Sequence, residues 1–291
     1  MALKFRTELR IEPRQGAIDH SSRILLLGSC FSDEIGSRLI KAGFNAVVNP
    51  TGTLYNPMSI AAAVERFAGY DASPGEALVY NGGLWHSMDH HTRFSSPDRE
   101  TLMDAVGQSI AKGAEALHAA SHLIITLGSA YVYEFKDTGR VVANCHKLPA
   151  DRFDRRRLDI GEITDRWIGL IGRMLDEFPD LEIIFTVSPI RHVADGLHGN
   201  QLSKATLHLA IDRIVAEFPG RVSYFPAYEA LVDDLRDYRF YAEDLVHPSS
   251  VGVEYVYSLF AATYFNGKTR DEANVREKEY RRQNHRPLQH L

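Results

Sequence analysis

Two short motifs near opposite ends of the chain contain the residue types that nucleophilic catalysis needs. Gly28-Ser29-Cys30-Phe31-Ser32 follows an apolar run and places a hydroxyl and a thiol where a strand gives way to a helix. About 215 residues later, Asp244-Leu245-Val246-His247-Pro248 puts a carboxylate three residues before a histidine. A histidine oriented by a carboxylate can take the proton of a serine or cysteine nucleophile near neutral pH. Either motif alone occurs by chance, so the hypothesis depends on one fold bringing them together.

The hydropathy pattern predicts the elements that would position these motifs. Apolar runs that end at glycine, such as Arg23 to Gly28 and His122 to Gly128, are typical of strands buried on both faces. The predicted strands are 23–28, 44–48, 122–128, 181–187 and 221–225; the predicted helices are 32–42, one from about 56, 99–119, 160–178, 203–218 and 249–265; a hairpin pairs 131–135 with 140–143. This alternation predicts a three-layer, doubly wound α/β fold with a mostly parallel sheet, helices on both faces and loop or hairpin insertions. Ligands of such sheets bind beyond the carboxyl ends of the strands, where both Ser29 and Cys30 fall.

Composition excludes some classes of partner. The 291 residues carry 33 basic and 38 acidic side chains, so a formal charge of −5 offers no field for holding nucleic acid. Without a long apolar run in the sequence, we expect no membrane span and a cytoplasmic protein that binds small molecules. Two cysteines are too few for a disulfide scaffold.

We expect one domain over residues 1–267, followed by a charged tail over residues 268–291. The tail would form a solvated helix, a frayed end or a docking or oligomerisation arm. The sequence leaves the oligomeric state open.

Several segments of the chain resemble the GSCFA domain family. The resemblance covers about residues 20 to 265 and rests on Gly28-Ser29-Cys30-Phe31, Thr126-Leu127-Gly128-Ser129-Ala130, 143–149, 187–192, 203–205 and 238–244. That family is similar to a divergent branch of the GDSL/SGNH hydrolases, which cleave or transfer acyl esters on a flavodoxin-like sheet and need no cofactor. The resemblance therefore implies an acyl-ester hydrolase or acyltransferase acting on a small-molecule or carbohydrate ester.

The resemblance also implies roles for individual residues. Asp244 and His247 match the final motif as orienter and base, and Gly52 fits the glycine of the oxyanion hole. In the first motif Cys30 stands where the superfamily has serine, and Ser29 where it has aspartate. The third motif becomes Gly128-Ser129-Ala130-Tyr131 and lacks its asparagine. The candidates to replace that amide are Asn144, Ser129 and His146.

Cys30 is the favoured nucleophile, and Ser29 remains the alternative. An imidazolium and a helix N-terminus can each lower the pKa of a thiol, and we expect Cys30 to have both. Its own N–H and that of Gly52 would face the developing oxyanion. If Ser29 is the nucleophile instead, Cys30 is a small buried residue.

Two further hypotheses come from the histidines and from the missing asparagine. A metallohydrolase could draw zinc ligands from His86, Asp89, His90, His91, Cys145, His146, His192 and His198, although their spacing favours this only weakly. His90, His91 and Arg93 could also line the substrate site or satisfy loop backbone groups. Arg191-His192 could hold a substrate anion, or Arg191 could join an internal ion pair. The third hypothesis is an inactive binding domain, in which Cys30 lies too far from His247 for a hydrogen bond.

Overall fold

A central parallel sheet organises the computed structural model, which describes residues 7–71 and 77–284. Its strands are β1 (Arg23–Gly28), β2 (Asn45–Val48), β5 (His122–Leu127), β9 (Glu182–Val187) and β10 (Val222–Tyr224). Across the sheet their order is β10-β9-β5-β1-β2, and every neighbouring pair is parallel. Renumbered within the sheet, this is the flavodoxin-like strand order. The predicted fold class is confirmed.

Helices cover both faces of the sheet. They are α1 (Cys30–Lys41), α2 (Pro57–Phe67), α3 (Arg99–Ala119), α4 (Ile160–Glu177), α5 (Gly196–Glu217), the single turn α6 (Ala227–Glu229), α7 (Ser250–Tyr264) and α8 (Gly267–Gln283). Side chains alternate across β1: Leu25 and Leu27 pack with α2 to α5, whereas Ile24 and Leu26 pack with α1, α7 and α8. Among the described residues, no helix has the length and apolar composition of a membrane span.

Two antiparallel insertions stand beside the central sheet. One is the hairpin of β3 (Leu78–Asn81) and β4 (Leu84–Ser87). The other is a three-stranded sheet of β6 (Tyr131–Phe135), β7 (Arg140–Val142) and β8 (Phe153–Arg157), with β6 in the middle. The predicted pairing of β6 with β7 is confirmed. No pattern in the sequence predicted β3, β4 or β8.

Helices α5 and α8 differ from the predicted boundaries. Helix α5 begins at Gly196, not Ser203. Residues 267–283 of the expected charged tail form α8, which buries Ala273 in the core and joins α1 through an Arg38–Glu277 ion pair of 3.1 Å. Residues 285–291 lie outside the described part of the chain. The division into a domain and a tail stays a prediction.

The first motif lies where the strand order reverses, between β1 and β5. Gly28 ends β1 with φ 137°, and a Cβ built there would lie 2.1 Å from the Thr126 carbonyl oxygen on β5. The same oxygen accepts a hydrogen bond from the Ser29 N–H at 3.2 Å. Glycine therefore allows the two central strands to approach closely while the chain turns into α1. This turn starts the helix at Cys30, above the crevice where such folds bind ligands.

Candidate active site

The two motifs meet at one cleft of about 390 Å³ above the carboxyl ends of β1, β5 and β9. Cys30 lines the cleft from the first turn of α1, and His247 lines it from the loop before α7. Other walls come from separate parts of the chain, namely Tyr55, Ser129, Tyr131, Arg155, Arg191 and His192. The fold thus brings a thiol and an imidazole together from opposite ends of the sequence.

Ser29 and Cys30 have different environments. Ser29 is 1% exposed, and its Oγ accepts a hydrogen bond from the Phe31 N–H at 3.3 Å, which caps the N-terminus of α1. Cys30 is half-buried and lines the cleft, whereas Ser29 is not among the described residues that do so. Of the two candidate nucleophiles, Cys30 is the one that the structure places in the cleft.

The acidity of the Cys30 thiol is opposite to expectation. Burial, followed by the negative charge of Asp33, raises its pKa to about 11, and Glu34 adds to this effect. The backbone N–H groups of Cys30 and Phe31 act in the other direction but do not prevail. The prediction of a lowered pKa was wrong because burial disfavours the thiolate, and the two carboxylates near the start of α1 add to this effect. Cys30 is therefore protonated at neutral pH and needs a base to take its proton.

Asp244 and His247 form a tightly bonded pair. One carboxylate oxygen of Asp244 accepts the N–H groups of Val246 and His247, both at 2.9 Å, and the other accepts Nδ1–H of His247 at 2.6 Å. These bonds, led by the His247 N–H, lower the pKa of Asp244 to about 2. An ionised carboxylate only accepts hydrogen bonds, so Nδ1 carries the proton and Nε2 is left to accept another. This is the tautomer that a general base requires.

Arg191 braces the loop that carries this pair. Its guanidinium donates to the Leu245 carbonyl oxygen at 3.3 Å and lies over the ring of Tyr241 at 4.4 Å. Within residues 7–71 and 77–284, the side chain of His247 is hydrogen-bonded to Asp244 and not to Cys30. His247 and Cys30 thus share the cleft without being joined by a hydrogen bond.

Gly52 does not present a free N–H to the cleft. Its N–H donates to the Asn49 carbonyl oxygen at 2.8 Å, and its φ of 85° belongs to a turn. A Cβ at this position would lie 2.2 Å from the Cβ of His91, so glycine is needed for packing. The N–H of Cys30 is in the first turn of α1, where N–H groups have no partner inside the helix. Of the two expected oxyanion donors, the structure offers the N–H of Cys30.

Three of the other candidates lie beside the β3–β4 hairpin and outside the cleft. Asn144 donates to Thr92 Oγ1 at 3.0 Å and accepts the His146 N–H at 2.9 Å. His146 donates through Nε2 to the Ser87 carbonyl oxygen at 2.7 Å, and burial lowers its pKa to about 4. His90 is fully buried, with its Nδ1 2.8 Å from Ser87 Oγ. These hydrogen bonds connect residues 87–92 with residues 144–146, and none of the three side chains lines the cleft.

Ser129 and His192 do line the cleft. Ser129 Oγ accepts the Tyr131 N–H at 3.0 Å and lies 3.3 Å from the hydroxyl of Ser203. Burial and the neighbouring cations Lys204 and Arg155 lower the pKa of His192 to about 4, so its imidazole is neutral. Ser129 can therefore offer a hydroxyl to a ligand, and His192 a neutral ring.

The family model of GSCFA matches residues 23–260, a span that contains both motifs. The chain belongs to the GSCFA family. Among curated proteins, none matches it. A family 2 carbohydrate esterase with a carbohydrate-binding domain from Corynascus thermopiles (Myceliophthora fergusii) is 12% identical, with a TM-score of 0.42 over 88% of this chain and 68% of that one. An acetyl xylan esterase from the rumen bacterium Butyrivibrio proteoclasticus is 10% identical, with a TM-score of 0.41 over 83% and 63%. At these identities it is the family match, and not either structure, that assigns this chain to a family.

A buried lysine, to which sequence reasoning assigned no role, joins the carboxyl ends of β5 and β9 in this GSCFA chain. Lys204 is 1% exposed, and its Nζ donates to the carbonyl oxygens of Gly128 at 2.6 Å and Ser188 at 2.7 Å. It lies on the buried stripe of α5 with Leu207 and Ile211, three and seven residues on. A charged residue on the apolar face of a predicted helix was the signal that could have identified it.

The insertion sheet contributes a second group of unpredicted residues to the cleft. Arg155 of β8 lies 4.1 Å from the ring centroid of Tyr131 and 5.6 Å from that of Tyr133, and it is ion-paired with Asp195. Tyr55 faces His192 edge-on across 5.7 Å. This wall of the cleft is therefore aromatic, and the Arg155–Asp195 ion pair adjoins it.

The loop histidines do not converge on an ion site. Among the described residues, no three His, Cys, Asp or Glu side chains come close enough together to hold a metal. His86 and His146 instead stack with their ring centroids 4.5 Å apart. The metallohydrolase hypothesis therefore has no ligand set in the described part of this GSCFA chain.

Proposed function

We propose that this GSCFA protein is an acyl-ester hydrolase or a related acyltransferase that forms an acyl-enzyme on Cys30. Its substrate would be a small-molecule or carbohydrate ester. The observation that supports this most strongly is the shared cleft: Cys30, in the first turn of α1, and His247, which is paired with Asp244, line the same space. A nucleophile, a base and a carboxylate that fixes the tautomer of the base are the parts that acyl transfer needs.

The first half-reaction forms a thioester. Nε2 of His247 takes the proton from Cys30 Sγ as the sulfur attacks the ester carbonyl carbon. The carbonyl oxygen becomes an oxyanion, which the N–H of Cys30 can stabilise at the positive end of α1. The tetrahedral intermediate then collapses, the bond to the alkoxy oxygen breaks, and His247 returns the proton to the departing alcohol.

The second half-reaction releases the acyl group. His247 takes a proton from a water molecule or from an acceptor alcohol or amine, whose heteroatom attacks the thioester carbonyl. Collapse of this second intermediate breaks the C–S bond, and the proton returns to sulfur. Because His247 is exposed at the cleft, either water or a larger acceptor can approach, so hydrolysis and transfer use the same machinery.

Turnover of p-nitrophenyl acetate by single variants tests the assignment. Cys30→Ala should abolish activity, and His247→Ala should lower kcat by roughly 10²–10⁴ because general-base assistance is lost. Ser29→Ala should keep the activity while losing about 1 kcal/mol of stability with its helix cap. Cys145→Ala is the matched control, since Cys145 is a half-buried thiol whose pKa burial also raises to about 11 but which does not line the cleft. Activity that survives Cys30→Ala and is lost in Ser29→Ala would instead make Ser29 the nucleophile.

A catalytically inactive binding domain is the second candidate function. It is favoured by the side chain of His247, which within the described residues is hydrogen-bonded to Asp244 and not to Cys30. Such a domain would bind acyl esters without consuming them. Equal, background-level rates for wild type, Cys30→Ala and His247→Ala, across acetyl esters of phenols and sugars, would select it over the enzyme.

A further inference from the structure

Arg191 brings a positive charge to the cleft that no carboxylate of the described residues neutralises. Apart from its histidines, the cleft is lined by three charged side chains in the described part of the chain, those of Arg155, Arg191 and Asp195. Asp195 is ion-paired with Arg155. Among the described residues, Arg191 forms no ion pair, and its guanidinium donates one hydrogen bond, to the Leu245 carbonyl oxygen at 3.3 Å. The internal ion pair that the sequence left open for Arg191 is therefore not formed with any described residue.

Two tyrosine rings position the guanidinium without neutralising it. Its central carbon lies 4.4 Å from the ring centroid of Tyr241, which is buried, and 5.1 Å from that of Tyr238. An aromatic ring attracts a cation but carries no net charge of its own. A guanidinium has five N–H groups, and the Leu245 carbonyl oxygen accepts one of them. The half-buried side chain of Arg191 is thus held in place with donors left over for a ligand.

The size of the cleft places this charge within reach of a bound substrate. Arg191, Cys30 and His247 line the same space of about 390 Å³, which is near the lower end of the roughly 300–1,000 Å³ of small-molecule sites. A ligand that fills it contacts both the thiol and the guanidinium. One unpaired cation balances one negative charge, and the forked N–H groups of a guanidinium match the two oxygens of a carboxylate. The charge and the geometry of Arg191 therefore fit a carboxylate better than a doubly charged phosphate.

We propose that Arg191 binds a carboxylate of the substrate, so that this protein prefers esters that carry a carboxylate over neutral ones. The inference rests on the proposed function and adds a substrate class to it. Arg191 keeps its hydrogen bond to the Leu245 carbonyl oxygen and offers its remaining N–H groups to the carboxylate. Because Leu245 belongs to the loop that carries Asp244 and His247, the same guanidinium connects the bound substrate to the loop of the base.

Calorimetric binding of two matched probes tests this charge without any turnover. 4-Acetamidobenzoate carries a carboxylate where 4-acetamidobenzamide carries a neutral amide, and both have an acetamide in place of a reactive ester. Wild type should bind the carboxylate about ten- to a hundredfold more tightly, and added salt should reduce the difference. Arg191→Gln should lose this preference, and Arg191→Lys should keep most of it. Arg239→Gln is the control, since Arg239 is exposed and is not among the described residues that line the cleft.

Three results would overturn the proposal. The first needs no variant: wild type binds the two probes equally or binds neither. The second is a preference for the carboxylate that persists in Arg191→Gln. The third is displacement of 4-acetamidobenzoate by inorganic phosphate at lower concentrations than by benzoate, which would contradict a site for a singly charged carboxylate.

Turnover of the corresponding acetate esters distinguishes this inference from the proposed function. The value of kcat/KM for 4-acetoxybenzoate, divided by that for 4-acetoxybenzamide, should fall about ten- to a hundredfold in Arg191→Gln. Loss of the loop brace alone would lower both rates equally and leave this ratio unchanged. A protein that prefers the carboxylate probe but hydrolyses neither ester would refute the proposed enzyme and retain the carboxylate site. An active esterase whose ratio is the same in wild type and Arg191→Gln would retain the enzyme and refute the inference.

Discussion

Replacing Gly28 by alanine should destabilise the fold beneath the cleft, because Gly28 allows the two central strands to approach closely. The new Cβ would lie 2.1 Å from the Thr126 carbonyl oxygen and 2.8 Å from its carbonyl carbon, while unstrained contacts begin near 3.4 Å. Both partners are backbone atoms of the two central strands, so relief requires β1 and β5 to move apart by more than about 1 Å. A φ of 137° costs a non-glycine residue about 1–3 kcal/mol. Displacement would also weaken ladder hydrogen bonds, including that from the Ser29 N–H to the same oxygen, at about 1 kcal/mol each.

Together these costs predict a loss of about 4–6 kcal/mol for Gly28→Ala, which would lower Tm by roughly 8–20 °C for a domain of this size. Gly139→Ala is the matched control: its φ is 66°, but nothing lies within 4 Å of the added Cβ. That variant should lose only about 1 kcal/mol. Thermal melting followed by circular dichroism compares the two. If both variants melt within a few degrees of each other, the close approach of β1 and β5 is not what requires glycine.

Two other substitutions probe the dyad loop and the histidine cluster. Arg191→Ala should lower kcat by about ten- to a hundredfold with little change in Tm, because the loop that carries His247 loses its brace. Arg239→Ala is the control, because Arg239 is an exposed arginine in the segment that precedes Asp244, and this variant should keep the wild-type kcat. Equal rates for the two variants would contradict the role of Arg191 as a brace. The pKa of His146 is lowered to about 4 in the folded protein, so its contribution to stability is present above its unfolded pKa of 6.5 and is lost as pH falls towards 4. Chemical unfolding at about pH 7 and pH 5 measures this: the free energy of unfolding of wild type should fall on the order of 2 kcal/mol further than that of His146→Gln. If the free energies of the two proteins change in parallel with pH, burial of His146 carries no such cost.

The central sheet was predictable because its strands are buried on both faces. Runs such as Ile24 to Leu27 and Leu123 to Ile125 have no polar interruption, and a parallel sheet between two helical layers is the arrangement that buries them fully. Strand β8 was missed for the opposite reason. Its sequence, Phe-Asp-Arg-Arg-Arg over 153–157, has no strand pattern, and it is extended because β6 offers it a partner.

The site was predictable only where a motif is local in sequence. Asp244 and His247 lie within one turn, and Ser29 and Cys30 adjoin one strand, so spacing alone identified them. Arg155 reaches the cleft through the pairing of an insertion strand, which no local pattern encodes. The residue types of Asn144, His146 and His90 suggested a role at the substrate site, but none of them lines the cleft, because their hydrogen bonds go to β4 and to the loop that follows it.

The central claim is that catalysis passes through an acyl group on Cys30, and peptide mass spectrometry after an acid quench tests it most directly. During turnover of p-nitrophenyl acetate, the peptide that contains Ser29 and Cys30 should gain one acetyl group. Fragmentation should assign it to Cys30, and neutral hydroxylamine should remove it as expected for a thioester. The Cys30→Ala protein should show no such adduct. An acetyl group on Ser29, or steady turnover with an unmodified peptide, would contradict the account.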